Sequence, residues 1–315
     1  MTTHIDVQPG IALQRPGARR PPQRRDGRLA LVFLAPALFF YIGFLIIPLI
    51  GTLFLSFTDW EGFTFDQLRM TGLDNYRQMA GDDVFWAAVR HNLILVVAAA
   101  VLKTVIALAL AIILDNNVRF ARFFQTVYLM PAVVSLVVTG VVFSLALSPT
   151  LGFVNPLLDA IGLSSLTGDW LGDTGRALPT IVVVEVWHTF GLHMTILIAS
   201  LAGIPGELRE SARVDGATTW QEYRHIVIPM LRPAIGVVFL LAGIESFKIF
   251  ATIYVMTRGG PSHATEVLST WGFFQAFSAN NVGYGSAIMV VLLLLTFALS
   301  VLQVRSNRRA QNDLA

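Results

Sequence analysis

The sequence predicts an all-α, polytopic membrane protein with six transmembrane helices. Three observations carry that expectation. Of its 315 residues, 55% are hydrophobic and only 13% are charged, against about 25% charged in soluble domains. Apolar runs of about 20 residues, the length that crosses a bilayer, recur along the chain. Arginines gather in alternate loops, as membrane topology requires.

Residues 1–28 contain Pro16, Pro21 and Pro22 and six arginines. This composition predicts a disordered basic tail. A cleaved secretory signal is the competing reading, but the apolar run after Arg28 is too long for one and no small-residue cleavage site follows it. The spans are expected at 29–55, 91–114, 124–147, 178–202, 233–255 and 284–304, giving a six-span domain over 29–305 and a second tail over 306–315. Proline occurs in the first and third spans (Pro36, Pro48, Pro131), where neighbouring helices can satisfy the freed backbone groups.

With the N-terminus inside, the inside segments hold fifteen arginines and the outside loops 56–90, 148–177 and 256–283 hold five. Both termini and residues 203–232 are therefore expected in the cytoplasm, in a multi-pass protein of the cell membrane. The lipid bilayer is an expected partner and nucleic acid is not. The chain has no cysteine, which excludes disulfides, thiolate nucleophiles and cysteine-ligated metals.

The segment 203–232 is polar between two apolar runs. Glu207 to Val214 should form a short helix with acids near its start and Arg213 near its end, stopped at Gly216. Thr219-Trp-Gln-Glu222 matches a capping box for a second short helix. Trp220, Tyr223, Ile226 and Val227 would form its apolar anchor face, and Pro229 and Pro233 would close it. Arg209, Glu210, Arg213 and Asp215 lie on the other face. Two readings stand: a membrane-surface connector, or a docking knob for a cytoplasmic protein.

Chemistry on the chain itself has little support. No G-x-x-x-x-G-K-[ST] motif surrounds Lys103 or Lys248, the only lysines, so phosphate has no P-loop to bind. None of the six histidines falls in H-E-x-x-H, and no G-x-S-x-G elbow occurs. No catalytic residue, cofactor or metal ligand is expected. Polar groups within spans are expensive and so invite a function. Glu185 and His188 are three apart beside Trp187, and Glu245 and Lys248 are three apart beside Phe247. They serve either as internal pairs, Glu245 with Lys248, or as the lining of a translocation path.

Glu210-Ser211-Ala212, three residues, Gly216, nine residues, Ile226, one residue, Ile228-Pro229 resembles the EAA loop of ABC importer permeases. The family pattern usually has Ala at Ser211 and Leu at Ile228. Asp215-Gly216-Ala217 fits the family's usual Asp-Gly-Ala. Leu34-Ala-Pro36, Ser56-Phe-Thr-Asp-Trp60, Gly72-Leu-Asp-Asn-Tyr76, Tyr128-Leu-Met-Pro131, Gly152-Phe-Val-Asn155, Val186-Trp-His188, Thr257-Arg-Gly-Gly-Pro261 and Gly283-Tyr-Gly-Ser-Ala287 resemble the carbohydrate-uptake branch, in its MalF-like form. The resemblance implies the type I importer permease fold and transport of a sugar or related polyol delivered by an external binding protein. It further implies a second, different permease subunit and two copies of an ATPase that binds ATP and magnesium. Glu210, Ser211, Ala212, Asp215, Gly216, Ala217, Ile226 and Pro229 would form the ATPase-coupling loop. An ion-coupled secondary transporter and a non-transporting scaffold are the alternatives, and neither accounts for the EAA spacing.

Overall fold

A computed structural model describes residues 26–64, 66, 68–115 and 119–312, without side-chain detail for 26–31, 303 and 306–312. The expected basic tail thus lies almost wholly outside the described residues. The chain divides into two units, residues 1–50 and 51–315. In the first, helix α1 (Asp26–Tyr41) carries Pro36 and passes through a π-turn (Ile42–Ile46) into α2 (Ile47–Leu55), whose end belongs to the second unit.

The second unit continues through α3 (Asp74–Ala80), α4 (Asp83–Asp115), α5 (Ala121–Val133), α6 (Leu136–Ala146) and α7 (Val154–Ala160). Then come α8 (Ala177–Leu201), α9 (Gly206–Val214), α10 (Thr219–Glu222) and α11 (Ile228–Phe247). It closes with α12 (Ala251–Met256), α13 (Leu268–Phe273) and α14 (Val282–Asn312). Among the described residues, five helices are long and apolar enough to cross a membrane, and α5 with α6 makes a sixth as one broken span. Thr58 and Met70 form an isolated antiparallel bridge.

Helices α4, α8 and α11 pack together at the centre. The apolar clusters around them contain Leu95 and Ile181, with Ile253 of α12, toward one end and Met194, Leu197 and Val238 toward the other. A Cβ on Gly191 would lie 1.9 Å from the Tyr128 carbonyl oxygen. Only glycine therefore lets α8 approach the backbone of α5 this closely.

Two expected spans differ from a straight helix. The third bends by 95° between α5 and α6, because Val134 and Ser135 are extended (ψ 141° and 137°). His188 Nε2 donates to the Val134 carbonyl at 2.9 Å, satisfying an acceptor that the bend releases. The expected fifth span, 233–255, begins earlier and breaks sooner. A π-turn (Tyr223–Val227) joins α10 to α11, so Pro229 and Pro233 lie within one helical path instead of closing a short helix. Pro229 follows the π-turn directly, at the start of α11. The path then stops at Phe247, and Lys248 to Phe250 separate α11 from α12.

At the end of the bundle away from α9, segments distant in sequence are tied together. Asn75 donates to the carbonyls of Ser56 and Thr58 at 2.9 and 2.7 Å, and the Gly283 amide donates to that of Trp60 at 3.0 Å. Asp82 caps α4 through the amides of Val84 and Phe85 and accepts from Trp271 at 2.9 Å and Tyr284 at 2.6 Å. Burial pushes the Asp82 carboxyl up, but these four hydrogen bonds outweigh it and hold its pKa below the ordinary value.

Candidate functional site: a docking segment and a polar cavity

Helix α9 ends in two capping bonds. The Gly216 amide donates to the Arg213 carbonyl at 3.1 Å and the Ala217 amide to that of Ala212 at 2.9 Å. This motif needs a left-handed residue after the helix, and Gly216 supplies it at φ 85°. Space is not the constraint there, since a Cβ at this position would meet nothing within 4 Å. The turn leaves Glu210, Ser211, Asp215 and Gly216 exposed, with Ala212, Ala217, Ile226 and Pro229 half-buried behind them. Val214 is 87% exposed and Trp220 67% exposed at the same tip.

Trp220 therefore does not pack into the bundle. Tyr223 and Val227 do face inward, against Leu114, Leu201 and Leu231. The capping box is shifted by one residue: Thr218 accepts from the Gln221 amide at 3.3 Å, and Gln221 accepts from the Thr218 amide at 2.8 Å. Glu222 is thereby released from capping and turns inward, its side chain fully buried.

Two arginines expected on the outer face close on that carboxylate. Arg209 Nε lies 2.5 Å from Glu222 Oε1 and Arg213 Nε 2.9 Å from Glu222 Oε2. A terminal nitrogen of Arg209 also reaches Asp115 Oδ2 at 2.9 Å and the Tyr223 hydroxyl at 3.0 Å. The Tyr223 hydroxyl donates to Asp115 Oδ2 at 2.6 Å. Burial works against the Arg209 charge, but its bonds to Glu222 and Asp115 prevail and raise its pKa above the ordinary value. The bond to Glu222 raises that of Arg213 likewise. Both arginines pair with Glu222, Arg213 while still 58% exposed, and Glu210 and Asp215 are exposed acids beside it with no ion pair among the described residues.

The second feature lies where α11 breaks. A cavity of about 480 Å³ is lined by Glu185 and Thr189 of α8, Glu245 of α11, and Lys248, Phe250 and Thr252 around the break. Behind it Lys103, fully buried, lies 3.1 Å from Glu185 Oε1, 3.4 Å from Ser246 Oγ and 3.8 Å from Glu245 Oε2. His193 Nε2 lies 3.5 Å from Glu245 Oε2. Glu185 Oε2, Glu245 Oε2 and the Thr252 hydroxyl are buried with no hydrogen-bond partner among the described residues. The Phe250 ring stacks on Tyr254 at 5.2 Å.

The expected pair of Glu245 with Lys248 does not form. Glu245 turns to Lys103 and His193, and Lys248 is exposed at the end of α11 with no ion pair among the described residues. The helix stops at this point, so three-residue spacing no longer places the two on one face. Of six candidate lining residues, Glu185, Glu245 and Lys248 meet at the cavity. Trp187 instead packs edge-on to Phe143 at 5.1 Å, and His188 holds the bend of the third span. Phe247 is buried on the other side of α11, where its carbonyl accepts from Asn92. His193, Thr189, Phe250 and Thr252 carried no sequence signal toward this site; His193 shares a helix face with Glu185, but only the fold brings Lys103 to both.

Among the described residues no cluster of His, Asp and Glu could hold a metal ion. Residues 103–312 match the family described as "Binding-protein-dependent transport system inner membrane component". The probable ABC transporter permease protein YurN of Bacillus subtilis is 37% identical over 286 residues, 90% of this chain and 97% of that one. The diacetylchitobiose uptake system permease protein NgcF of Streptomyces coelicolor is 30% identical over 315 residues, covering 92% and 89%. In solved structures, the fold resembles a chain of a bacterial alginate ABC transporter in complex with alginate pentasaccharide-bound periplasmic protein. That match has a TM-score of 0.78 and 21% identity over 90% of this chain and 96% of that one.

Proposed function

Because this chain belongs to the binding-protein-dependent transport system inner membrane components, we propose that it forms half of the translocation path of an ATP-driven importer for a sugar or related polyol. The observation that carries the reading is the exposed tip of α9, with Glu210, Ser211, Asp215 and Gly216 presented on a rigidly capped turn. That tip is the docking element for a cytoplasmic ATPase, present in two copies and binding ATP and magnesium. A second, different permease subunit completes the path, and an external binding protein delivers the substrate. Both termini and the docking segment face the cytoplasm, in keeping with the arginine distribution.

The cavity suits such a cargo. Glu185, Glu245 and Thr252 offer oxygens, Lys248 an ammonium donor, and Phe250 an aromatic wall. Hydroxyl-rich ligands need this mixture of acceptors, donors and a flat apolar surface. Similarity to the NgcF permease supports the sugar class.

The test is uptake of a panel of labelled neutral sugars and polyols by vesicles containing the assembled transporter. Uptake is expected to require both the binding protein and ATP and to persist when ion gradients are collapsed. Uptake driven by an ion gradient without ATP would contradict the proposal and favour a secondary carrier.

A further inference from the structure

We infer that Arg209 is a positioning residue that ties the docking segment to α4, so that displacement of α9 is carried into the helices around the cavity; the inference rests on the docking role proposed for α9. Helix α9 buries no side chain. Apolar packing therefore does not hold it to the bundle, and its attachment depends on its chain ends and on polar contacts. Arg209 makes those contacts to three elements at once. It reaches Glu222 of α10, Tyr223 of the π-turn that starts the α11 path, and Asp115, the last residue of α4. Its guanidinium also lies over the Tyr223 ring, 5.4 Å from the centroid.

The guanidinium is a planar fork of donors, so it can bind two carboxylates and a hydroxyl in one fixed arrangement. A lysine supplies one rotatable point charge and cannot span the same partners. Arg213 holds the second oxygen of Glu222 at 2.9 Å and leaves that carboxylate no freedom to swing. The link on the α4 side is equally direct. Helix α4 runs unbroken from Asp83 to Asp115, and Lys103 lies on it about 18 Å from Asp115 at the helical rise. Lys103 holds Glu185 of α8 and lies beside Glu245 of α11, the two carboxylates at the cavity. Arg209, Asp115, α4 and Lys103 thus form a continuous chain of bonded contacts from the docking tip to the cavity.

The experiment uses the complete reconstituted transporter, with the ATPase and binding protein present, and compares the wild-type chain with Arg209→Ala, Arg209→Lys and Asp115→Asn. Bound ATPase, ATP hydrolysis and substrate uptake are measured together. Arg209→Ala is expected to retain its ATPase and hydrolysis while uptake per ATP falls about tenfold, within the usual range of coupling between sites. Arg209→Lys should recover part of the loss, and Asp115→Asn should lower the same ratio although Asp115 lies at the end of α4, away from the docking tip. An unchanged ratio in Arg209→Ala overturns the inference. A proportional loss of bound ATPase and uptake also overturns it, since that identifies a folding defect. A wild-type chain that binds no ATPase contradicts the docking role itself, so the two failures are distinguishable.

Discussion

Around Arg209, Glu222, Asp115 and the Tyr223 hydroxyl lie between 2.5 and 3.0 Å. Around Lys103, Glu185, Ser246 and Glu245 lie between 3.1 and 3.8 Å, and Glu245 has only another long contact, to His193 at 3.5 Å. The Arg209 contacts thus lie at charge-assisted hydrogen-bond length, whereas around Lys103 only the Glu185 contact is within ordinary hydrogen-bond length and those to Ser246 and Glu245 are longer. The first surrounds the anchor of a helix with no buried side chain. The second flanks a cavity and contains buried carboxylate oxygens with no hydrogen-bond partner among the described residues. Short, saturated contacts resist displacement, whereas long, incompletely satisfied ones can be exchanged for a ligand's hydroxyls. Under the proposals above, transmission runs from Arg209 to Lys103, and the loosely held Glu245 beyond Lys103 is the group left to adapt to a cargo.

The largest expected effect is at the turn that displays the docking tip. A β-branched residue is strongly disfavoured at φ 85°, and forcing it there costs about 1–3 kcal/mol of strain. Gly216→Val is therefore expected to abolish uptake and weaken ATPase association while membrane abundance stays near wild type. Normal uptake by this variant would remove the functional contrast between the two regions. Next in its effect on uptake, though larger in its effect on stability, is Lys103→Met, which leaves two carboxylates beside the cavity without their buried cation. Breaking a buried pair in this way costs about 3–5 kcal/mol, so membrane abundance should drop. Adding Glu185→Gln and Glu245→Gln should restore abundance but not uptake. Lys248→Met should alter uptake alone, because Lys248 has no ion pair to lose among the described residues. If Lys248→Met also lowers abundance, the cavity cluster is structural throughout.

A smaller effect is expected from Glu210→Lys. Its exposed side chain should not affect folding, so uptake-linked ATP hydrolysis should decline with abundance unchanged. The smallest concerns Asp82, at the far end. Its pKa is lowered on folding, so its stabilising contribution is present above its unfolded value, near 4, and is lost as pH falls through the lower folded value. Acid unfolding monitored by tryptophan fluorescence should show this dependence in the wild type, and Asp82→Asn should weaken it.

The helical class, the apolar spans and the left-handed turn at Gly216 are local properties, and these were legible in the sequence. Apolar run length determines the spans, and Asp215-Gly216-Ala217 encodes its own backbone conformation. The third-span bend was not legible, because Val134 and Ser135 are ordinary helix residues and the compensating donor, His188, lies 54 positions away. The capping box was displaced by one residue because Thr218 and Thr219 both satisfy the pattern, and tertiary pairing of Glu222 with Arg209 and Arg213 selects the first. At the cavity, local spacing suggested the wrong partner for Glu245. Lys103 and Glu185 are separated by 82 positions, and a single sequence contains no measure of that proximity.

Proximity labelling from the docking tip tests the proposed ATPase interface most directly. The chain has no cysteine, so Ser211→Cys provides one reactive group at the tip and Ser262→Cys provides one in the loop between α12 and α13. With a short bifunctional thiol reagent in intact vesicles, Ser211→Cys is expected to cross-link to an ABC ATPase identified by mass, and Ser262→Cys is expected to yield none. Impermeant thiol reagent added from outside cells should label only Ser262→Cys. Cross-linking of the ATPase through residue 262, or labelling of residue 211 from outside, would contradict the assignment of the α9 tip as the motor-docking element.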